Sequence, residues 1–417
     1  MKPKIINIIP HPPPYDLYHK DPRPPINWDT PDGSWVGIWG YDWADLLGNE
    51  LLKSSDEFKY EVWQPDLRAD KTYSYTFESG LVHKLFPARK KSILTGLKIK
   101  REIYSDFIIN GIGNLDELNN NILLHLSAQP DYMYKLIQHK FYNRLPIVYQ
   151  FLGDASSLFE YKTSKNILIR FHRKLILENN ENFFSKCRNV FYCVKNNDSI
   201  LRNYIKANFY YRIMGVDFNF WKRDTNKSTI REFLKIPEDK FILFSSSRLN
   251  NLKQIDKLIK ALSQINNNFF IFYISGHGEK DYENYLKKLI IELKLYDKVI
   301  FLGYVTDDIL KSYYLASDVF ISTSLKEGGP MSVMKALALE VPVIVTDTGI
   351  SYLLKERNAG IILPSEYCEW ATIIESVING RLIKTIPREE VKQMFSWDVV
   401  AINYLNSYRK IYKNFYK

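Results

Sequence analysis

Long apolar runs are missing from this 417-residue chain. No stretch reaches the roughly 18 consecutive apolar residues that a membrane-spanning helix needs, so none is expected. The N-terminal KIINII is too short for the apolar part of a secretory signal, and prolines follow it in place of a small-residue cleavage site. Cysteine is scarce: Cys187, Cys193 and Cys368 are the only three. They match neither a CxxC nor a zinc spacing, and an odd number does not suit a disulfide framework. A reducing, cytoplasmic compartment is therefore expected. D-x-D, H-E-x-x-H and EF-hand spacings do not occur, so nothing in the sequence calls for a divalent metal. Zinc-finger, RNP and basic-zipper signatures are also missing, which argues against a nucleic-acid partner.

Acidic residues are outnumbered, 47 against 57 Lys and Arg, for a net charge of +10. Such an excess favours an anionic partner, a membrane lipid or a phosphorylated substrate. It is concentrated between Lys84 and Arg101, where KLFPARKKSILTGLKIKR carries basic and apolar residues and no acid. That stretch suits an anionic membrane surface; a solvated basic helix fits it equally well. The tail YRKIYKNFYK adds further cations among aromatics.

The composition, 46% hydrophobic and 25% charged, is that of a folded protein, and the length allows two or three domains. Short β-branched runs alternate with helical patterns almost throughout, the pattern of parallel sheets covered by helices. Strands are predicted at 4–9, 59–63, 122–127, 146–151, 189–194 and 209–214, and again at 241–247, 269–275, 298–303, 317–323, 341–346 and 360–364. Within 254–264, Ile255, Leu258, Ile259 and Leu262 share one helical face. The pattern restarts after MGVDFNFWKRD (214–224), which places a hinge there. Residues 10–31 hold eight of the 18 prolines, so regular structure is not expected in them. They follow the first strand, at the carboxyl edge where such sheets bind ligands.

Three strand-to-helix junctions could carry chemistry. In SSSRLNNLK (245–253), Arg248 and Lys253 lie between a strand and a helix, where two cations can neutralise a diphosphate; solvated surface charge is the plain alternative. In ISGHGE (274–279), Gly276 and Gly278 permit a tight turn or a close approach to a ligand. In STSLKEGGPMSVMKALALE (322–340), Gly328 and Gly329 leave backbone amides open, and Pro330 suits the first helical position ahead of Met331. Glu327 would oppose a phosphate unless it faces sugar hydroxyls.

Together the order and spacing of these stretches resemble the nucleotide-sugar domain of family 4 glycosyltransferases. The likeness runs from MGVDFNFW through KVIFLGYVTDD, LASDVFISTSLKEGGP and VPVIVTDTGI to FSWDVVAINYL. It implies the GT-B fold: two Rossmann-like, doubly wound α/β domains facing a central cleft. It further implies that Arg248 and Lys253 bind the donor diphosphate, that Glu327 touches the transferred sugar, and that the Gly328–Met331 turn meets sugar or phosphate oxygens. The family pattern carries a second glutamate eight positions after the first, accepting hydrogen bonds from the ribose diol. Lys335 stands there instead, with three donors and no acceptor. It could donate to a ribose oxygen, approach a phosphate, or pair with Glu327.

The first half resembles the family more loosely. GSWVGIWGYDWADLLGNELLK (33–53) takes the place of a glycine-rich loop, with Gly37 and Gly40 before a helix and Trp35, Trp39 and Trp43 near them. Where many members have a histidine, this chain has Gln150. Asp154 and His125 are further candidates for the cleft edge, with a turn aspartate and a buried histidine as the alternatives. The expected organisation is an acceptor-binding domain over 1–215, a donor-binding domain over 216–395, and a C-terminal helix over 396–417 crossing back to the first.

The resulting expectation is an NDP-sugar-dependent glycosyltransferase needing neither metal nor cofactor. It would act, with retention, on a glycan or lipid-linked acceptor in cell-surface polysaccharide or glycoconjugate synthesis, as a cytoplasmic protein or one peripheral to the inner face of the membrane. The alternative is a non-catalytic GT-B protein that binds sugar or nucleotide, or serves as an assembly subunit. A two-domain periplasmic binding protein shares the hinge but does not explain Arg248, Lys253 and Glu327 together.

Overall fold

In the computed structural model, residues 2–10, 42–67, 69–95, 97–118, 121–127, 131–152, 167–195, 197–266 and 269–416 are described. They fall into two compact units. One runs to Gly215 and takes back the chain from Trp397 onward; the other spans Val216–Ser396.

The first unit is built on a sheet in the order β10-β9-β8-β7-β1-β2-β4-β3. Its strands are β1 (Lys4–Ile8), β2 (Lys59–Asp66), β3 (Tyr73–Thr76), β4 (Val82–Pro87), β7 (Ile122–Ser127), β8 (Ile147–Phe151), β9 (Asn189–Tyr192) and β10 (Asn208–Tyr211). All neighbours pair in parallel except β3, which runs antiparallel on β4. Strands β7 and β8 are buried at every residue, as centre strands covered on both faces must be. Around this sheet lie α1 (Asp42–Ser54), α2 (Asp106–Glu117), α3 (Tyr132–Phe141), α4 (Ile167–Phe184) and α5 (Asn197–Tyr204). Strands β5 (Arg89–Thr95) and β6 (Lys98–Tyr104) pair antiparallel as a separate ribbon. The basic stretch is therefore extended backbone and not a helix. Its Ile, Thr and Leu fit a two-stranded register in which Leu94 faces Ile99.

The second unit has a six-stranded, wholly parallel sheet in the order β13-β12-β11-β14-β15-β16. The strands are β11 (Phe241–Ser246), β12 (Phe270–Ser275), β13 (Val299–Gly303), β14 (Val319–Ser322), β15 (Val343–Thr346) and β16 (Ile361–Leu363). Helices α6 (Lys227–Phe233), α7 (Ile255–Leu262), α8 (Lys280–Glu292), α9 (Asp307–Ala316), α10 (Met331–Ala338), α11 (Ser351–Glu356), α12 (Trp370–Ile378) and α13 (Arg388–Phe395) connect or follow them. Helix α7 shows why: Ile255, Leu258, Ile259 and Leu262 bury one face beneath the sheet, while Lys257 and Lys260 stay toward water. The strand order reverses between β11 and β14. Crevices at such a switch point, outside the carboxyl ends of the strands, are where doubly wound sheets bind ligands.

Helix α14 (Trp397–Tyr416) packs against α1 in the first unit. Gly215 makes room for it, because a Cβ there would stand 2.4 Å from the Trp397 ring. Its tyrosines reach the centre strands: the Gln150 amide donates to the Tyr404 hydroxyl at 2.7 Å, and the Tyr408 hydroxyl lies 2.8 Å from His125 Nδ1. His125 and Gln150 are thus wholly buried under this helix and do not edge an open face. Burial lowers the His125 pKa to about 3, which keeps its ring neutral.

Candidate functional site

The loops leaving β11 and β14 meet at the switch point of the second unit, and their backbones are stapled together. Leu325 N–H donates to the Leu252 carbonyl at 2.7 Å, and the Thr323 hydroxyl donates to the Lys253 carbonyl at 2.8 Å. Asn250 shapes the first loop by accepting from Leu252 N–H at 3.1 Å, and Gln254 takes a left-handed conformation (φ 51°) that turns the chain into α7. Lys253 and Glu327, 74 positions apart, are thereby brought into an ion pair at 2.5 Å. Both side chains are about four-fifths buried, at 20% and 19% exposure. Arg248 stands on the same loop, exposed, with no ion pair or side-chain hydrogen bond among the described residues.

Glu327 is fixed from a third strand as well. Its N–H donates to the Thr348 hydroxyl at 3.0 Å, and Gly349 (φ +61°) lets the turn after β15 close on Pro330 and Glu327. Gly328 is buried, and Gly329 and Met331 are partly so. Pro330 sits one position earlier than expected: it is the N-cap of α10, because its ψ of 79° is not helical. No side chain caps α10; the Met331 N–H donates to the Gly329 carbonyl at 2.8 Å, and the amides behind it have no side-chain acceptor. An exposed cation, a clamped lysine–glutamate pair and a helix N-terminus therefore lie on the stapled loops of the switch point. That set can neutralise a multiply charged anion while holding one carboxylate toward hydroxyls.

Gly276 and Gly278 serve the scaffold. The loops after β11 and β12 continue to pair beyond the strands: Ser247 N–H donates to the Ser275 carbonyl, Leu249 N–H to that of His277, and Glu279 N–H to that of Leu249. A Cβ on Gly276 would fall 2.0 Å from the Ser247 oxygen, and one on Gly278 would fall 1.9 Å from the Leu249 oxygen. Their own amides are taken, by the Gly303 carbonyl at 2.7 Å and the Glu283 carboxylate at 2.6 Å. The close approach they permit is to the loop carrying Arg248.

Lys335 does not pair with Glu327, whose partner is Lys253. Its ammonium lies 4.1 Å from the centroid of the buried Trp221 ring and 3.3 Å from Asp307, the first residue of α9. Trp221, Asp307, Thr348 and Gly349 complete the surroundings of the site and were not singled out in the sequence. The Thr-Gly pair after a predicted strand was the available signal for the last two. Gly37, Gly40 and Asp154, with Trp35 and Trp39, lie outside the described residues.

Residues 226–394 match the family model described as Glycosyl transferases group 1. An uncharacterized glycosyltransferase of Methanocaldococcus jannaschii is 28% identical over 203 residues, 46% of this chain and 52% of that protein. The O-antigen biosynthesis glycosyltransferase WclY of Escherichia coli is 23% identical over 212 residues, 51% of this chain and 57% of the relative. The chain spans about half the length of these relatives. HepE of Anabaena, solved in complex with UDP-glucose, superposes with a TM-score of 0.66 at 18% identity, over 98% of this chain and 99% of that one. This last likeness is one of fold, and the fold is GT-B: an α/β protein of two Rossmann-like units.

Proposed function

We propose that this chain is a group 1 glycosyltransferase that moves a sugar from a nucleoside diphosphate sugar to a glycan or lipid-linked acceptor. The observation that carries the reading is the clamped Lys253–Glu327 pair beside exposed Arg248 at the β11/β14 switch point, inside the segment matched by the family model. Relatives named for O-antigen and teichuronic acid biosynthesis support cell-surface polysaccharide or glycoconjugate synthesis as the setting. A neighbour of the same fold holding UDP-glucose supports the donor class.

In this reading the second unit binds the donor and the first binds the acceptor. Arg248 and Lys253 offset the charge that grows on the diphosphate as the glycosidic bond breaks, the electrostatic work a metal ion does elsewhere. Glu327 accepts from hydroxyls of the transferred sugar, and the α10 amides meet the sugar or a phosphate oxygen. Retention follows if the acceptor attacks from the face the phosphate leaves, its proton passing to that phosphate; no protein nucleophile is required. Lys335, committed to Trp221 and Asp307, supplies no acceptor for a ribose diol. Losing such a bond weakens donor binding by about one to two decades without abolishing it. The enzyme works at the inner face of the membrane, with residues 84–101 toward anionic lipid; among the described residues no helix is long and apolar enough to cross it.

A thermal-shift screen against UDP, GDP, ADP and CMP and their common sugar conjugates tests the reading. At least one nucleotide should stabilise the chain, and Arg248→Ala should remove both that shift and turnover of the matching sugar conjugate. Binding without any transfer or hydrolysis would favour the non-catalytic alternative.

A further inference from the structure

The β5–β6 ribbon has two unlike faces. One packs on the start of α3: Lys91 donates to the Tyr132 hydroxyl at 2.6 Å, the Tyr104 and Tyr132 rings meet edge to face, and Glu102 accepts from Tyr132 N–H. The other carries the cross-strand pairs Leu94–Ile99 and Ser92–Arg101, with Lys90 beyond them. Leu94 is 68% exposed and Ile99 75%. Two apolar side chains held opposite each other in water satisfy no packing need of the ribbon itself.

A second element adds to this face. The Leu97 N–H, next to the tip, donates to His172 Nδ1 on α4 at 2.7 Å. That bond brings the ribbon to the first turns of α4, where Ile167 (77%), Leu168 and Phe171 are exposed on one helical side. Exposed cations flank the apolar group: Lys90 and Arg101 share its ribbon face and Arg170 lies on α4, and none of the three has an ion-pair partner among the described residues. The nearby acids Glu102 and Asp106 are engaged, with Tyr132 N–H and Arg89.

We infer that the ribbon tip and the first turns of α4 together form a membrane-insertion surface. Leu94, Leu97, Ile99, Ile167, Leu168 and Phe171 enter the headgroup boundary of an anionic bilayer, and Lys90, Arg101 and Arg170 beside them contact its phosphates. This deepens the membrane part of the proposed function by assigning it to a two-element surface. An apolar patch flanked by cations is what an interfacial protein needs, since insertion and charge attraction add. A second copy of this chain is a poor occupant, because a two-fold contact would set the same cations against each other. Nucleic acid would use the cations but leave the apolar centre unexplained.

The test uses the full chain in co-sedimentation with vesicles of phosphatidylcholine alone or mixed with phosphatidylglycerol. Binding should require phosphatidylglycerol and weaken with salt. Lys90→Glu with Arg101→Glu should lower the partition at least about 25-fold, at roughly fivefold per cation. Leu94→Asp with Ile99→Asp should lower it at least about tenfold, and Ile167→Asp, on the other element, should lower it too. All these positions are exposed, so far-UV circular dichroism should be unchanged. Wild-type chain that ignores the anionic vesicles, or variants that bind them as well as wild type, would overturn the inference. So would concentration-dependent self-association that Leu94→Asp with Ile99→Asp abolishes in the absence of vesicle binding. Nucleotide thermal shifts run in parallel keep the two readings apart: vesicle binding without any nucleotide shift sinks the transferase reading and leaves this surface standing.

Discussion

Gly278→Ala distinguishes a scaffold glycine from a ligand-admitting one. The added Cβ would stand 1.9 Å from the Leu249 carbonyl oxygen, a backbone atom that cannot swing aside. Leu249 is held from both directions, donating to the His277 carbonyl at 3.1 Å and accepting from Glu279 N–H at 3.0 Å. Relieving the clash costs about 1–3 kcal/mol in overpacking. Weakening the two backbone bonds costs roughly 1 kcal/mol each. The total is about 3–5 kcal/mol, or roughly 6–20 °C in the Tm of a unit of this size, at about 2–4 °C per kcal/mol. Thermal unfolding of the full chain, followed by circular dichroism, reads this directly. Nucleotide affinity should fall as well, since Arg248 lies on the displaced loop. The reasoning fails if the variant melts with wild type while nucleotide binding collapses, because Gly278 would then exist to admit the ligand.

Further predictions concern the site and the first unit. Lys253→Met and Glu327→Gln should each cost about 1–3 kcal/mol, and their double-mutant cycle should show coupling of about 1 kcal/mol or more, since the pair is mostly buried; additive losses would mean that the pair does not act as a unit. Lys335→Glu should lower the Tm by removing an ammonium from the Trp221 ring, yet tighten nucleoside diphosphate binding by about tenfold as an acceptor is restored; a large loss of affinity would show that the lysine has an adapted role. Asp131, the N-cap of α3, accepts from Tyr134 N–H, and burial, with the charge of Glu102 adding, raises its pKa to about 7. Because the folded-state pKa is raised, its contribution is fully present below about pH 4 and is lost as pH rises through about 7. Asp131→Asn keeps the cap and should flatten the fall in Tm over that window; an unchanged pH profile would contradict the assignment.

Much of the fold was legible because the centre strands are buried on both faces and so read as continuous apolar runs. Each of the predicted strands is present, with ends shifted by a few residues. The edge of the first sheet and the separate β5–β6 ribbon were not legible. In β3, β5 and β6 the residues are largely exposed and rich in Tyr, Ser and Lys, so no burial pattern marks them as strands. The KKSILTGLKIKR stretch accordingly reads as a membrane-facing surface or a solvated basic helix, and nothing local marks its pairing as a ribbon. At the site, Arg248, Lys253 and Glu327 could be chosen from their strand-to-helix positions. Their meeting depends on stapling between loops some seventy positions apart, which local spacing does not encode. The same limit applies to Lys335: the sequence shows a cation where an acceptor was expected, but only the fold supplies Trp221 and Asp307 as its partners. Of the two readings of His125 the buried one holds, but polarity near a strand end says nothing about the helix from the far end of the chain that covers it.

The central claim is that Arg248, Lys253 and Glu327 form a site for a nucleoside diphosphate sugar. Its most direct test is calorimetric titration of the full chain with the nucleoside diphosphate that gives the largest thermal shift, beside Arg248→Ala. Saturable binding in wild type that falls at least tenfold in the variant, roughly 1.4 kcal/mol, is the predicted result. Binding that Arg248→Ala leaves unchanged, or no binding of any nucleoside diphosphate, would contradict it.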